Sequence, residues 1–424
     1  MIRREVVLAA AAAILAAPAA PVAAQRQRGR PEVRLDPGLD YNALMAAAPA
    51  GVRMILAPGS YPGWSAEPKD GQTFEAAGEG AVLDGGGQRL FAFRGRAADV
   101  QLIGLTVQDY DTMDPPDSQR QARQIAAIDV SSGRNWQLID LTVQRIGGRG
   151  VSMSPGMHIL RGRYVDNGHI GIGGRAAYAV VEGAEIARNN ERRYGSHWES
   201  GGYKNVGGHL PGNLPVMRGA RLIGCHIHHN LGRAVWFDWD CEAAVVERCV
   251  IHHNSNEGIA YEASAAGRFR NCLIGFNNTS GHREGSAWSA DLMLQNSHDC
   301  VVEGCTIVAD RGCALAVAHH TRNPDSDPPQ QWGYYTGPFD GMRNRVAGNT
   351  FVLLGDAVGL VLEVNAPPGE QEVRESNMWR PNRWLVHPGA RERRLWLGEA
   401  WSGRLGTLEE NADLAPFVPS QLRA

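Results

Sequence analysis

The sequence has almost no excess charge. Its 42 Lys and Arg residues stand against 45 Asp and Glu, for a formal net charge of −3. No basic stripe or basic run occurs, so nucleic acid and an anionic membrane surface are poor partners for it. Aromatic residues are modest at 7%. Long apolar runs are missing except for one at residues 6–17, which is too short to span a bilayer as a helix. Arg3 and Arg4 precede that run and Val22-Ala23-Ala24 follows it, so residues 1–24 read as a secretory signal. No cysteine follows that cut, which argues against a lipoprotein. The expected location is periplasmic or secreted.

Disulfide spacing is also missing. Seven cysteines in an exported chain would ordinarily suggest bridges. Here Cys225, Cys249, Cys272 and Cys305 each end one local pattern: Leu-Ile-Gly-Cys, Val-Glu-Arg-Cys, Phe-Arg-Asn-Cys and Val-Glu-Gly-Cys. A column of small apolar residues inside a solenoid accounts for this recurrence, because a free thiol packs as a small hydrophobe.

What the chain does have is glycine, 51 residues of it, and a repeat. An alternating strand, a short turn and a second alternating strand recur. Copies of the second strand are Val100–Val107, Trp136–Val143, Met157–Val165, Tyr178–Ile186, Arg221–Ile227, Val245–Ile251, Arg268–Ile274, Val301–Ile307 and Asn344–Val352. Without insertions the period is about 21–24 residues, in the range of parallel solenoids. Asn167, Asn189-Asn190, His228-His229-Asn230, His252-His253-Asn254 and Asn277-Asn278 close the copies, as left-handed turn residues with stacked amides would. The histidines read as part of that turn ladder.

At the start, Ala43–Ala48 reads as a short capping helix, Val52–Leu56 as a strand, and Pro58-Gly59-Ser60-Tyr61 as a turn. This resembles the start of right-handed parallel β-helix proteins. The repeats from Asn42 to Asn365 resemble the pectate-lyase-like superfamily. That resemblance implies an all-β fold, a right-handed parallel β-helix forming a single-stranded solenoid. The expected divisions are a signal at 1–24, an N-terminal cap and first strand at 25–60, the helix at 61–365, and a C-terminal cap at 366–424, with the repeat broken from Arg374 onward. The same scaffold carries lyases, hydrolases, epimerases and inert adhesins, so fold alone does not fix function.

Insertions at 109–123, 191–200 and 279–290 fall before the first strand of a repeat. Those at 206–219 and 319–340 fall after it. Loops on both flanks of the first-strand sheet would wall a groove suited to an oligo- or polysaccharide. Side chains alternate along a strand. In Val235-Trp236-Phe237-Asp238 this leaves Trp236 and Asp238 outward. Ile259–Glu262 leaves Glu262 outward, and Leu292–Gln295 leaves Gln295 outward. Counting back from the cysteine column gives the same register. Lys204 is expected to join this outward column just before Asp238, and Asp240, two residues beyond Asp238, is expected to face out too. Glu199, His282, Arg283, Trp288 and His319 are expected as groove-edge contacts.

Parallel strands lie ~4.7–4.9 Å apart. That suits the ~5–5.5 Å carboxyl separation of retaining glycosidases, where a close pair also keeps one acid protonated. Trp236-Phe237-Asp238-Trp239, followed one rung later by Tyr261-Glu262-Ala263-Ser264, resembles the β-helical β-xylosidase-type glycosidases. This implies Asp238 as nucleophile and Glu262 as acid/base. The residues themselves leave open whether Asp238 or Asp240 attacks. No cofactor or metal is expected for such a hydrolase. The rival is a lyase acting on a uronic-acid glycan, with Lys204 as base and Ca²⁺ or an arginine neutralising the carboxylate. A second rival is a non-catalytic glycan-binding solenoid.

Overall fold

The computed structural model describes residues 31–111, 125–195, 199–207, 217–281, 286–321, 340–379, 381–386, 394–398 and 404–407. The expected signal at 1–24 lies outside them. The chain divides into two compact units, one ending at Lys204 and the other beginning at Asn205. No described helix is long and apolar enough to cross a membrane.

In the N-terminal unit each coil lays one strand on each of three parallel sheets. The first sheet stacks Glu32–Leu35, Arg53–Leu56, Thr73–Ala76, Gln101–Ile103, Gln137–Ile139, His158–Leu160 and Val180–Glu182. The second runs from Gly59–Pro62 to Glu185–Ala187, and the third includes Ala126–Asp129, Arg149–Met153 and Ile170–Gly174. The expected capping helix is present as Tyr41–Ala47, with the Asp40 carboxylate accepting from Ala43 N at its start. Its Tyr41 ring packs on Tyr61 and Trp64. The edge of the first sheet is taken by Glu32–Leu35, a strand the sequence reading did not anticipate.

The C-terminal unit repeats the plan. Its first sheet is Arg221–Ile223, Val245–Glu247, Arg268–Arg270, Val301–Glu303 and Arg345–Ala347. Its second runs from His226–His228 to Arg383–Val386. Its third is Arg233–Asp238, Ile259–Glu262, Ala290–Gln295, Cys313–His319, Val358–Val364 and Arg394–Gly398, with Arg404–Thr407 added antiparallel. The repeat therefore does not stop near residue 365 as expected. Arg383–Val386 and Arg394–Gly398 extend the second and third sheets, and the helix Glu370–Ser376 is an insertion before them.

Each expected "second strand" is in fact two strands on two sheets. One residue with positive φ, such as Gly104, Asp140, Gly183, Gly224, Arg248 or Asn271, turns the corner between them. The cysteine column sits just past that corner. Cys225, Cys249, Cys272 and Cys305 are all free and buried. Inside, like side chains stack: Ile227, Ile251, Ile274, Ile307 and Phe351 form one column, and Phe237, Tyr261, Leu294, Val317 and Leu362 another. All are fully buried or nearly so, each contributing about 1.5–3 kcal/mol of apolar burial.

The asparagine ladder is present with one change. Asn230 Nδ2 donates to Asn254 Oδ1 (2.9 Å), Asn254 to Asn277 (2.8 Å), and Asn277 to Asp291 Oδ1 (2.8 Å). Asn190 and Asn278 are left-handed as expected, but at the ladder asparagines 230, 254 and 277 the left-handed residue is the one before, namely His229, His253 and Phe276. The ladder amide stays inside and satisfies buried backbone groups instead. Outside, His228 stacks on His252, and His229 on His253 and then Phe276.

Candidate active site

The third sheet of the C-terminal unit brings the acids together. Arg233–Asp238 pairs with Ile259–Glu262 so that Asp238 stands directly opposite Glu262, and Glu262 stands opposite Gln295. The column continues through Ala318 to Glu363. Phe237 and Tyr261 point into the core, so alternation turns Asp238 and Glu262 to the outer face. Both are nonetheless shielded, at 6% and 8% exposure.

Neighbouring groups fix these carboxylates. Trp236 Nε1 donates to Glu262 Oε2 at 3.2 Å. The Trp236 ring lies under the Arg233 guanidinium, 3.8 Å from its carbon to the ring centroid, a cation–π contact. Arg233 is itself held by Glu257 at 2.8 Å in a buried ion pair. A chain of four side chains, Glu257–Arg233–Trp236–Glu262, thus sets the orientation of one candidate catalytic acid. Trp236, expected to face outward, is covered there and only 4% exposed. It belongs to a buried apolar cluster with Ala260, Met293 and Ala316, against which Trp288 packs.

Three other expectations change. Asp238 is the last residue of its strand, and Trp239 and Asp240 both have positive φ (54° and 43°). Alternation ends there, so Asp240 does not continue the outward column, and its side chain is buried. Gly207 N donates to Asp238 O at 2.7 Å, which puts Val206 opposite Asp238. Lys204 lies two residues earlier on the strand Gly201–Val206, so it is not the column member next to Asp238. His319 is buried with both ring nitrogens engaged: Nδ1 accepts from Gly341 N (3.0 Å) and Nε2 donates to Pro367 O (3.0 Å). It is a packing residue rather than a groove wall.

Gln295 is buried in the column, and its Oε1 has no hydrogen-bond partner among the described residues. Glu199 is buried just before the strand Gly201–Val206. His282 and Arg283 lie outside the described residues, as do most of the segments expected to wall the groove. The sequence reading missed Glu363, which accepts from Ala287 N (2.9 Å) and lies 2.8 Å from His320 Nε2. Register would have found it, since it continues the Asp238–Glu262–Gln295 column. Arg149 and Arg233 were also missed, because each sits at the first position of a third-sheet strand, ahead of the alternating stretch.

Residues 126–285 match the family described as "Right handed beta helix region". Among solved structures the chain is similar to XylC in complex with xylose (TM-score 0.59, 11% identity, covering 87% of this chain and 86% of that one). It is also similar to the A-module of the Azotobacter vinelandii mannuronan C-5 epimerase AlgE6 (0.57, 13%, 89% and 93%). A third is PfbA, a surface adhesin of Streptococcus pneumoniae (0.51, 9%, 86% and 93%). No curated protein matches. At these identities the likeness is one of fold, and the chain is a right-handed parallel β-helix protein.

Proposed function

We propose that this protein is an exported carbohydrate-active enzyme, a retaining glycoside hydrolase. The observation that carries the reading is the direct pairing of Asp238 with Glu262 on adjacent parallel strands. One strand spacing, ~4.8 Å, matches the ~5–5.5 Å that double displacement requires, and is too short for a water between the two acids as in inversion. Asp238 attacks the anomeric carbon and forms a glycosyl ester. Glu262 protonates the departing oxygen, then takes a proton from the water that releases the sugar. The hydrogen bond from Trp236 holds the Glu262 carboxyl in place through both steps. Asp238 is preferred over Asp240 because it alone lies in the strand that pairs with Glu262.

The test is a 2-fluoro glycoside trap followed by peptide mapping, with the product anomer read by NMR. Label on Asp238 and retained configuration support the reading. Inverted product, or an Asp238→Ala variant with full turnover, ends it. The same digestion separates the rivals. An unsaturated, ultraviolet-absorbing product lost in Lys204→Ala would mark a lyase. Glycan binding with no product, unchanged by removing either acid, would mark a binding solenoid such as an adhesin.

A further inference from the structure

Successive coils of the N-terminal unit leave a cavity of about 570 Å³ at the corner where the second sheet passes into the third. Its lining follows directly on the second-sheet strands Ala81–Asp84, Thr106–Gln108, Thr142–Gln144, Arg163–Val165 and Glu185–Ala187. The volume lies within the ~300–1,000 Å³ of small-ligand sites. Asp238 and Glu262 belong to the other unit.

The lining is polar, reachable and already organised. Arg145 donates through Nε and Nη2 to the two Asp109 oxygens (2.9 and 2.8 Å), and Arg192 through Nη2 to Asp111 Oδ2 (2.6 Å). These four side chains are a quarter to a half exposed. Asp84 accepts from Gly86 N (2.8 Å) on one oxygen and from Gln108 Nε2 (3.1 Å) on the other. Each Asp84 oxygen has a further lone pair to offer, and Arg145 keeps Nη1 to donate. Glycine makes the room. A Cβ at Gly147 would stand 2.1 Å from Asp111 Oδ1 and 2.9 Å from Arg192 Cζ, and one at Gly168 would stand 3.1 Å from Arg192 Cδ, so the Asp111–Arg192 pair lies against bare backbone. At Gly86 and Gly87 a Cβ would meet nothing within 4 Å.

Donors and acceptors set side by side, with their charges opposed in pairs, suit a ligand rich in hydroxyls. Each hydroxyl can donate to a carboxylate and accept from a guanidinium. The charge balance sets a further limit. Asp84, Asp109, Asp111, Asp166 and Glu191 line the cavity against Arg145 and Arg192, so a ligand carboxylate is repelled. We propose that this corner is a second carbohydrate-binding site, in a different unit from the candidate active site, that takes a neutral sugar unit and rejects a uronic acid. The choice of sugar among hydroxyl-rich ligands rests on the carbohydrate-active reading above. The hydrolytic roles of Asp238 and Glu262 do not enter it.

The experiment is saturation-transfer NMR on the full protein with glucose, galactose and mannose, each titrated against its own uronate. At least one neutral sugar should bind at millimolar concentration, and its uronate about 10-fold more weakly. Arg145→Gln breaks only a surface ion pair, so it should keep the melting temperature while lowering the affinity for the neutral sugar about 10-fold. Asp84→Asn should narrow the gap between the neutral and acid forms, and Asp238→Ala should bind as the unaltered protein does. Equal affinity for sugar and uronate overturns the proposal. So does an affinity unchanged in Arg145→Gln, or a signal lost in Asp238→Ala, which would place the sugar in the other unit. Failure of every neutral sugar, with calcium or spermidine binding instead, would make the corner a cation trap and overturns it too. A failed trap at Asp238 beside Arg145-dependent binding would remove the hydrolase reading and leave this site standing, and the reverse result would remove only this site.

Discussion

Asp291 ends the asparagine ladder, and replacing it with asparagine should stabilise the protein in a pH-dependent way. Its Oδ1 accepts from both Asn277 N (3.2 Å) and Nδ2 (2.8 Å). Burial, reinforced by Asp310, pushes its pKa from 3.8 up to about 8 despite those two bonds. A raised carboxyl pKa means the fold takes up a proton that the unfolded chain does not. Stability is full below pH 3.8 and is lost as pH climbs toward 8. At 1.36 kcal/mol per pH unit the cost is about 0.6 kcal/mol at pH 4, about 1.7 kcal/mol at pH 5 and on the order of 4 kcal/mol at pH 7. An asparagine has the acceptor that Asn277 needs and no charge to bury. Its amide also has a partner by analogy, since Asn254 Nδ2 donates to Ile227 O and Asn277 Nδ2 to Ile251 O, so Asn at 291 would reach for Ile274 O. Urea unfolding of the unaltered protein and Asp291→Asn, followed by circular dichroism at pH 4, 5 and 7, measures the difference. The gain for the variant should grow with pH. A difference that is flat across this range, or a variant less stable at pH 7, refutes the reasoning.

Three further outcomes are expected. Burial and the surrounding His226, His228, His253 and His229 lower the His252 pKa from 6.5 to about 2, so stability present above pH 6.5 is lost as pH falls. Between pH 6.5 and 4.5 the loss is about 2.7 kcal/mol, and His252→Gln should flatten that acid limb in the same unfolding assay. Gly207→Ala would place a methyl 1.8 Å from the Trp239 carbonyl oxygen, just past Asp238; the backbone must move, so melting temperature should fall and, on the proposed reading, kcat with it, and a variant unchanged in both would contradict the placement. Glu262→Gln should lower kcat by about 10²–10⁴-fold on substrates with poor leaving groups, with azide restoring turnover on activated ones; a variant at full rate would remove Glu262 from the chemistry.

The outward column could be read in advance because two rules converge on it. Alternation gives the face, and parallel stacking carries the face from one coil to the next, so Asp238, Glu262 and Gln295 fell into line. The same rules fail where strands end. Asp240 is the second of a pair of left-handed residues that alternation does not describe. Lys204 was counted from the wrong end of its strand, since the segment 208–216 removes the spacing cue that the later coils retain. The corner between the first two sheets did leave a trace. Inward residues step by three across it, as in Leu222, Cys225 and Ile227 or Val246, Cys249 and Ile251, rather than by two. Burial of Trp236 was not legible, because the Arg233 guanidinium lies over its ring and Ala287 and Trp288 of its apolar cluster come from an insertion two coils on.

That insertion has a consequence for how such a protein can change. Asp238 and Glu262 are 24 residues apart in sequence and Glu262 and Gln295 are 33, yet each pair meets in register. Extra chain leaves at a corner and returns to the same position, so the coil below does not register its length. Floor and walls are therefore separable inheritances. A lineage can exchange what protrudes from a corner, while the carboxylates on the sheet stay fixed by its hydrogen bonds.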